Sequence, residues 1–151
     1  VPAFTGLGLP HWRPDARAAI TGLSSHSGRA QIARAGFESI AYQVRDALDA
    51  MRAGGVPLGT LHCDGGPTAS RFLMQFTADI TRAELRLAGM PDCSALGAVL
   101  AGQLGLGLRQ SLADIAATHR DEIVYLPTLP VERSASLHAG WLSAVRQVIV
   151  V

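Results

Sequence analysis

The chain has 151 residues, a formal net charge of +1, 48% hydrophobic residues and 17% charged residues. That length suits one domain with a real core and is short for two. A nearly neutral charge argues against nucleic acid or an anionic membrane as the main partner. The high apolar share predicts that part of the surface meets a partner, either another domain or a second copy in a homodimer.

Residues 1–23 are predicted to form a structured loop followed by a short strand. The first fourteen residues, VPAFTGLGLPHWRP, hold three prolines and two glycines, a composition typical of a loop. Within this loop Trp12 is predicted to be an aromatic anchor, with ligand stacking as the alternative. A strand is expected around Ala18–Gly22. Arg17 is expected to pair with Asp15 or with a backbone carbonyl.

A long helix is predicted from a cap at Ser27 to about Ala53. Arg45 and Asp49 lie four positions apart on it and are expected to form an ion pair. Its apolar residues recur at helical spacing and predict a face that packs on the core: Ile32, Phe37, Ile40, Ala41, Val44, Leu48 and Met51.

The stretch Thr60–Ile80 predicts a strand, a glycine turn and a helix. A short, mostly apolar run at residues 61–63 ends at Gly65 and Gly66, and Pro67 is expected to open the helix. Because neither glycine has a Cβ, a ligand can approach the backbone closely, and the N-terminus of a helix favours anions. The turn is therefore a candidate phosphate or nucleotide site, and a plain βα turn is an equally good alternative.

Several other kinds of site are not supported by the sequence. All thirteen basic residues are arginine, so there is no Walker A lysine, and the turn lacks the GxGxxG spacing of a dinucleotide site. Cys63 and Cys93 are predicted to be free buried thiols of a cytoplasmic protein, with a disulfide or a metal site as the alternatives. The five histidines show no ligand spacing, so no metal site is predicted. No apolar run approaches the roughly 20 residues that cross a bilayer.

Asp64 immediately precedes the two glycines. A carboxylate there is expected to hold the turn by accepting backbone N–H groups. The alternative is that Asp64 orders a metal-bound water.

The rest of the chain predicts two further strands and three helices. Alternation at residues 83–87 predicts a strand with one face in solvent. Ser94 is expected to cap a helix to about Leu104, whose small residues favour tight packing over nucleotide access. The remaining predictions are a turn at Met90–Cys93, a short helix at Ser111–Thr118, a brief strand at Glu122–Leu126 and a closing amphipathic helix at Val131–Val151.

Four segments read together resemble the C-terminal half of the FGGY carbohydrate kinases, most closely the glycerol kinase branch. They are Val1–Ala18, Ile20–Asp46, Asp64–Ile80 and Ser94–Gly102. The segment Ile20–Asp46 is similar to the family's C-terminal signature and departs from it at Gly36. The resemblance implies an α/β fold, a ribonuclease H-like (actin-like ATPase) domain with a mixed sheet flanked by helices. It also implies that residues 1–151 are the C-terminal nucleotide-binding domain of such a kinase, with the N-terminal half absent from this chain.

The same resemblance implies a function and its residues. An enzyme of this family transfers the γ-phosphoryl group of ATP, with Mg²⁺, to a hydroxyl of a sugar or polyol that is glycerol- or xylulose-like and is held mainly by the N-terminal domain. The nucleotide-binding role falls on Gly65, Gly66 and Ser70, and Ser70 stands where the family usually has asparagine. The catalytic base belongs to the absent half, so no catalytic residue is expected in this chain, and the chain alone is expected to be inactive. The alternative is a non-catalytic actin-like module that binds a nucleotide or a partner.

Overall fold

The computed structural model describes residues 1–89, 93–116 and 121–149, with residues 121 and 122 described by their backbone alone. The turn predicted at Met90–Cys93 falls largely outside these residues, as does the end of the helix predicted at Ser111–Thr118. The elements in chain order are α1 (Arg29–Ala53), β1 (Leu61–Cys63), α2 (Arg71–Thr81), β2 (Leu85–Ala88), α3 (Cys93–Gly105), α4 (Leu112–Ala116), β3 (Asp121–Tyr125) and α5 (Val131–Ile149).

The three strands form one mixed sheet in the order β1-β2-β3. β1 pairs with β2 in parallel, with Leu61 opposite Leu85, and β2 pairs with β3 in an antiparallel direction. Because β1 and β2 are parallel, their carboxyl ends lie at the same edge of the sheet. The predicted α/β class with a mixed sheet and flanking helices is thus confirmed, and the glycine turn lies where β1 leaves the sheet.

α2 is the central element of the core, because eight of its eleven residues are buried. One side of α2 packs on the sheet, in a cluster of Leu73, Met74, Ala78, Leu85 and Leu87. The other side packs on α1, α5 and the N-terminal loop, in a cluster that includes Leu7, Tyr42, Phe76, Ile80, Trp141 and Val145. The helix that follows the glycine turn is therefore held on both sides.

The prediction that the whole apolar stripe of α1 packs on the core is wrong for its first half. Ile32, Phe37 and Ile40 are 42–46% exposed, and Met51 is exposed as well. The buried positions are Ser39, Ala41, Tyr42, Asp46 and Leu48. The periodicity is helical, but no residue of α1 before Ser39 is buried.

The N-terminal segment also differs from prediction. Trp12 is 70% exposed, so it does not anchor the loop. Residues 16–24 form no strand, and the backbone hydrogen bonds between Val1 and Ala19 are too isolated to make one. Arg17 was expected to pair with Asp15 or with a backbone carbonyl. Its guanidinium donates to the carbonyls of residues 14–16, which confirms the second alternative. α1 is capped by Gly28, whose N–H binds the Gln31 side chain at 3.1 Å, and not by Ser27.

The later strands and the last helix follow the prediction closely. Ala83, Leu85 and Leu87 are buried while Arg86 is exposed, which confirms the alternating strand. α3 begins at Cys93, so Ser94 is not its cap, and none of its residues is buried, which contradicts the predicted tight packing. No helix in the described part of the chain is both long enough and apolar enough to cross a membrane.

Candidate nucleotide-binding turn

The glycine turn is a separate 3-10 turn and not the start of α2. Gly65 has φ 87° and ψ 175°, a conformation that a side chain would strain. The carbonyl of Gly65 accepts both the N–H and the hydroxyl of Thr68, at 3.1 and 2.7 Å. These two bonds close the turn at Gly66–Ala69, so the prediction that Pro67 opens the long helix is wrong by four residues.

The main chain at the two glycines is open to approach from outside. A Cβ placed on Gly66 would meet no atom within 4 Å, and one on Gly65 would meet only Cδ of Pro67 at 3.9 Å. The space that a side chain at position 66 would occupy is therefore free of other described residues, so a ligand could approach the main chain from that side.

Ser70 joins the turn to α2. Its Oγ accepts the N–H of Leu73 at 3.3 Å, and its carbonyl accepts the N–H of Met74 at 3.0 Å, so it is the N-cap of the helix. The hydroxyl proton is still able to donate to a ligand. The structure thus brings the three predicted residues together at residues 65–70, between the end of β1 and the first turn of α2.

Replacing Ser70 with alanine should lower the free energy of unfolding by about 1 kcal/mol, because the N-terminus of α2 loses its capping oxygen. Urea denaturation of the 151-residue chain measures the loss. Ser70→Asn is the matched control, since asparagine caps a helix as well as serine does. An alanine variant as stable as the parent chain would show that the cap contributes nothing.

The far end of α2 is fixed by residues from α1 and α5. Arg45 donates to the carbonyl of Ile80 at 3.0 Å, and Arg52 donates to that of Thr81 at 3.3 Å. The hydroxyl of Ser134 donates to the carbonyl of Asp79 at 2.9 Å. Cations at a helix C-terminus stabilise the negative end of its dipole. Arg45 also forms the predicted ion pair with Asp49 at 3.3 Å.

Asp64 does not hold the turn as predicted, since its carboxylate accepts no hydrogen bond from the described residues, and it is exposed. The neighbouring thiol of Cys63 is free and half-buried. Burial, and to a lesser extent the charge of Asp64, raise the pKa of the Cys63 thiol. A raised pKa disfavours the thiolate, so Cys63 is poorly suited to act as a nucleophile beside the turn.

One residue beside the turn was not predicted from the sequence. Arg71 is the first residue of α2, is exposed, and has no ion-pair partner among the described residues. A cation at a helix N-terminus is unfavourable unless an anion is near it. The sequence signal that could have identified Arg71 is its position directly after the N-cap residue Ser70. Within residues 1–89, 93–116 and 121–149, no group of three histidine, cysteine or acidic side chains could hold a metal ion.

Comparison with protein families gives one match, to the FGGY family of carbohydrate kinases, C-terminal domain, over residues 1–106. Among curated proteins, the glycerol kinase of Shewanella woodyi is 45% identical over 152 residues, covering 99% of this chain. That of Rhodospirillum rubrum is 46% identical over 151 residues, covering 98% of this chain. This chain spans only 30% of the length of each of these relatives.

Solved structures of related kinases are also similar to this chain. Glycerol kinase from Plasmodium falciparum, crystallised with ADP, superposes with a TM-score of 0.87 at 32% identity, over 99% of this chain and 30% of its own. Xylulose kinase from Rhodospirillum rubrum superposes with a TM-score of 0.78 at 25% identity, over 97% of this chain and 30% of its own. These likenesses confirm the predicted ribonuclease H-like (actin-like ATPase) fold.

Proposed function

This chain belongs to the FGGY family of carbohydrate kinases, and we propose that it is the ATP-binding C-terminal part of a glycerol kinase-like enzyme. The enzyme would transfer the γ-phosphoryl group of ATP to a hydroxyl of a small polyol such as glycerol. The observation that carries this proposal is the glycine turn ahead of α2, where a Cβ on Gly66 would meet no atom within 4 Å. It lies in a chain that superposes over 99% of its length on a glycerol kinase solved with ADP.

Different residues of the turn would contact different parts of the nucleotide. The amides of Gly65 and Gly66 would donate to phosphate or ribose oxygens. Ser70 would donate its hydroxyl proton to the nucleoside while its oxygen keeps capping α2. Arg71 would add a positive charge next to the phosphates. This arrangement binds and orients the ATP, which is most of what a phosphoryl-transfer enzyme contributes.

A magnesium ion would accompany ATP and neutralise charge on the phosphates. The described residues form no cluster that would hold it alone, which fits an ion carried mainly by the phosphates and by water. Asp64 is the carboxylate next to the turn, and it is exposed and free of hydrogen bonds to the described residues. It would accept a hydrogen bond from a water of the ion's hydration shell.

The polyol and the catalytic base would be supplied by the remaining 70% of a full-length kinase, in its N-terminal domain. No aspartate near the turn is placed by the family resemblance as the base, so the 151-residue chain alone should transfer no phosphoryl group. We also propose that the enzyme works in the cytoplasm, where a thiol such as that of Cys63 stays reduced. We propose a homodimer only for the complete kinase and not for the 151-residue chain.

The nucleotide site can be tested by titrating the 151-residue chain with ADP and Mg²⁺ and recording the backbone amide signals by NMR. The amides of Gly65 and Gly66 should shift first, while that of Gly140, in the exposed surface of α5, should not. Shifts confined to another region would contradict the site.

A chimaera tests the reaction itself. In it, this chain replaces the matching 151 residues of the Rhodospirillum rubrum glycerol kinase. Glycerol-dependent ADP production by the chimaera, and none by the isolated chain, is the expected result. A folded chimaera that binds ATP without transferring phosphoryl groups would favour the non-catalytic alternative, which Ser70 and Gly36, the two departures from the family pattern, support.

A further inference from the structure

The side chains around the glycine turn determine which parts of a nucleotide the turn could distinguish. Residues 64–71 contain four polar side chains, one of which is a serine. The hydroxyl of Thr68 donates to the carbonyl of Gly65 at 2.7 Å, so its proton is used within the turn. Asp64 as a carboxylate only accepts hydrogen bonds, and Arg71 only donates them. These three side chains therefore offer a ligand no paired donor and acceptor at a fixed separation.

Ser70 is the fourth polar side chain, and the helix holds its oxygen in place. Its Oγ accepts the N–H of Leu73 at 3.3 Å, and its own N–H donates to the carbonyl of Pro67 at 3.1 Å. One lone pair and the hydroxyl proton are left for a ligand, and the hydroxyl proton rotates to suit its partner. From one position the Ser70 hydroxyl can therefore donate to an acceptor or accept from a donor.

The two purine bases differ in a way that a hydroxyl does not detect. Adenine and guanine share the N7 acceptor, but beside it adenine has the N6 amino donor and guanine has the O6 acceptor. A serine hydroxyl pairs with either base, because it can donate to N7 or O6 and accept from N6. An asparagine amide instead pairs with N6 and N7 of adenine through two bonds, a contact that discriminates between bases by about five- to 150-fold.

We propose that the glycine turn binds purine nucleotides without selecting the base, so that guanosine nucleotides are ligands of the same site as adenosine nucleotides. Ser70 is the residue that determines this breadth, since it is the side chain proposed to face the nucleoside. The phosphates and the ribose, which the glycine amides would contact, are identical in the two kinds of nucleotide. This inference rests on the proposed nucleotide-binding function and deepens it by naming the class of ligand.

The proposal can be tested by titrating the 151-residue chain with Mg²⁺ and either ADP or GDP, taking each Kd from the NMR shift of the Gly66 amide. The two Kd values should agree within about fivefold, the lower limit for a specific base contact. In Ser70→Asn the ratio of the GDP Kd to the ADP Kd should rise at least about fivefold, because the amide pairs with adenine. The melting temperature should not change, since asparagine also caps a helix.

A matched control places the same substitution away from the turn. Ser25 is exposed in the segment that precedes α1, and Ser25→Asn should leave both Kd values as they are in the parent chain. Ser70→Ala should raise both Kd values by a similar factor and leave their ratio unchanged, because the lost hydroxyl serves both bases equally.

Three results would overturn the inference while leaving the nucleotide site itself in place. In the first, the parent chain binds ADP and GDP at Gly66 with Kd values more than about fivefold apart. In the second, the ratio in Ser70→Asn rises by less than that factor although its melting temperature is unchanged. In the third, the parent chain prefers GDP and Arg71→Gln removes the preference, which would place the guanidinium on the base. If neither nucleotide shifts the Gly66 amide, the proposed site is wrong and this inference is wrong with it.

Discussion

Replacing Asp46 with alanine should lower the free energy of unfolding by about 3–5 kcal/mol, a large part of the stability of a domain this size. Asp46 lies on α1 and is 6% exposed. Its Oδ1 lies 2.7 Å from Nε2 of His138, and its Oδ2 accepts the indole N–H of Trp141 at 2.6 Å. Without the carboxylate, both buried groups on α5 lose their partner, and each loss costs about 1–3 kcal/mol.

A third buried group, the His11 imidazole, adds to the expected loss of unfolding free energy. The Nε2 atom of His11 is buried, has no hydrogen-bond partner among the described residues, and lies 4.0 Å from Oδ2 of Asp46. The carboxylate thus lies close to two imidazoles from different parts of the chain. Its removal would loosen the N-terminal loop as well as the packing of α1 on α5.

Chemical denaturation of the 151-residue chain measures this effect, with Asp49→Ala as the matched control. Asp49 lies three residues further along α1, is 42% exposed and pairs with Arg45 and Arg52. An exposed pair contributes about 1 kcal/mol or less, so its loss should be small. Asp46→Asn should fall between the two, because an amide can still accept the Trp141 bond. Equal losses for Asp46→Ala and Asp49→Ala would contradict the structural role of the buried carboxylate.

This cluster was not predicted from the sequence, and its geometry explains why. It joins residues that are 92 and 95 positions apart, and only the crossing of α1 and α5 brings them together. In the sequence, Trp141 falls within the closing amphipathic helix and His138 is one of five histidines without ligand spacing, and neither pattern points to a carboxylate partner. The available signal was Asp46 itself, an acidic residue four positions after Tyr42 and in phase with the buried side of α1.

The sequence predicted best what depends on a few neighbouring residues. The run at Leu61–Cys63, the alternation around β2 and the closing helix α5 all formed as expected, because local spacing and turn residues determine them. The start of α2 was missed, since it depends on the hydroxyl of Thr68 closing a 3-10 turn ahead of it. The three residues of the site were nevertheless placed on one turn.

Predictions of burial failed where a second surface was needed. The first half of α1, the side chain of Trp12 and the small residues of α3 were all expected to pack, and all are exposed. Their apolar patterns are clear, but a pattern cannot show whether its partner lies in the same stretch of chain. This chain spans 30% of the length of its matched relatives, so its own residues are only part of what such a pattern can pack against in those proteins.

Gly66→Val should raise the KM for ATP in the chimaera at least about tenfold, equivalent to about 1.4 kcal/mol of binding free energy, while the melting temperature changes little. A Cβ at position 66 meets no atom within 4 Å, so valine fits the protein alone. Its methyl groups would instead fill the space in front of the amides, where the phosphates are proposed to lie. The KM for glycerol should not change, since the polyol is held elsewhere.

Two controls separate this effect from a general disturbance of the fold. Gly36→Val places the same side chain in open space on the exposed part of α1, and it should leave the KM for ATP unchanged. Gly65→Val should disturb both stability and binding, because residue 65 has φ 87° and valine rarely adopts that conformation. Steady-state kinetics at saturating glycerol give the ATP dependence. A Gly66→Val chimaera that binds ATP as tightly as the parent would show that the nucleotide lies away from this turn, and the proposed site would then be wrong even if the kinase is active.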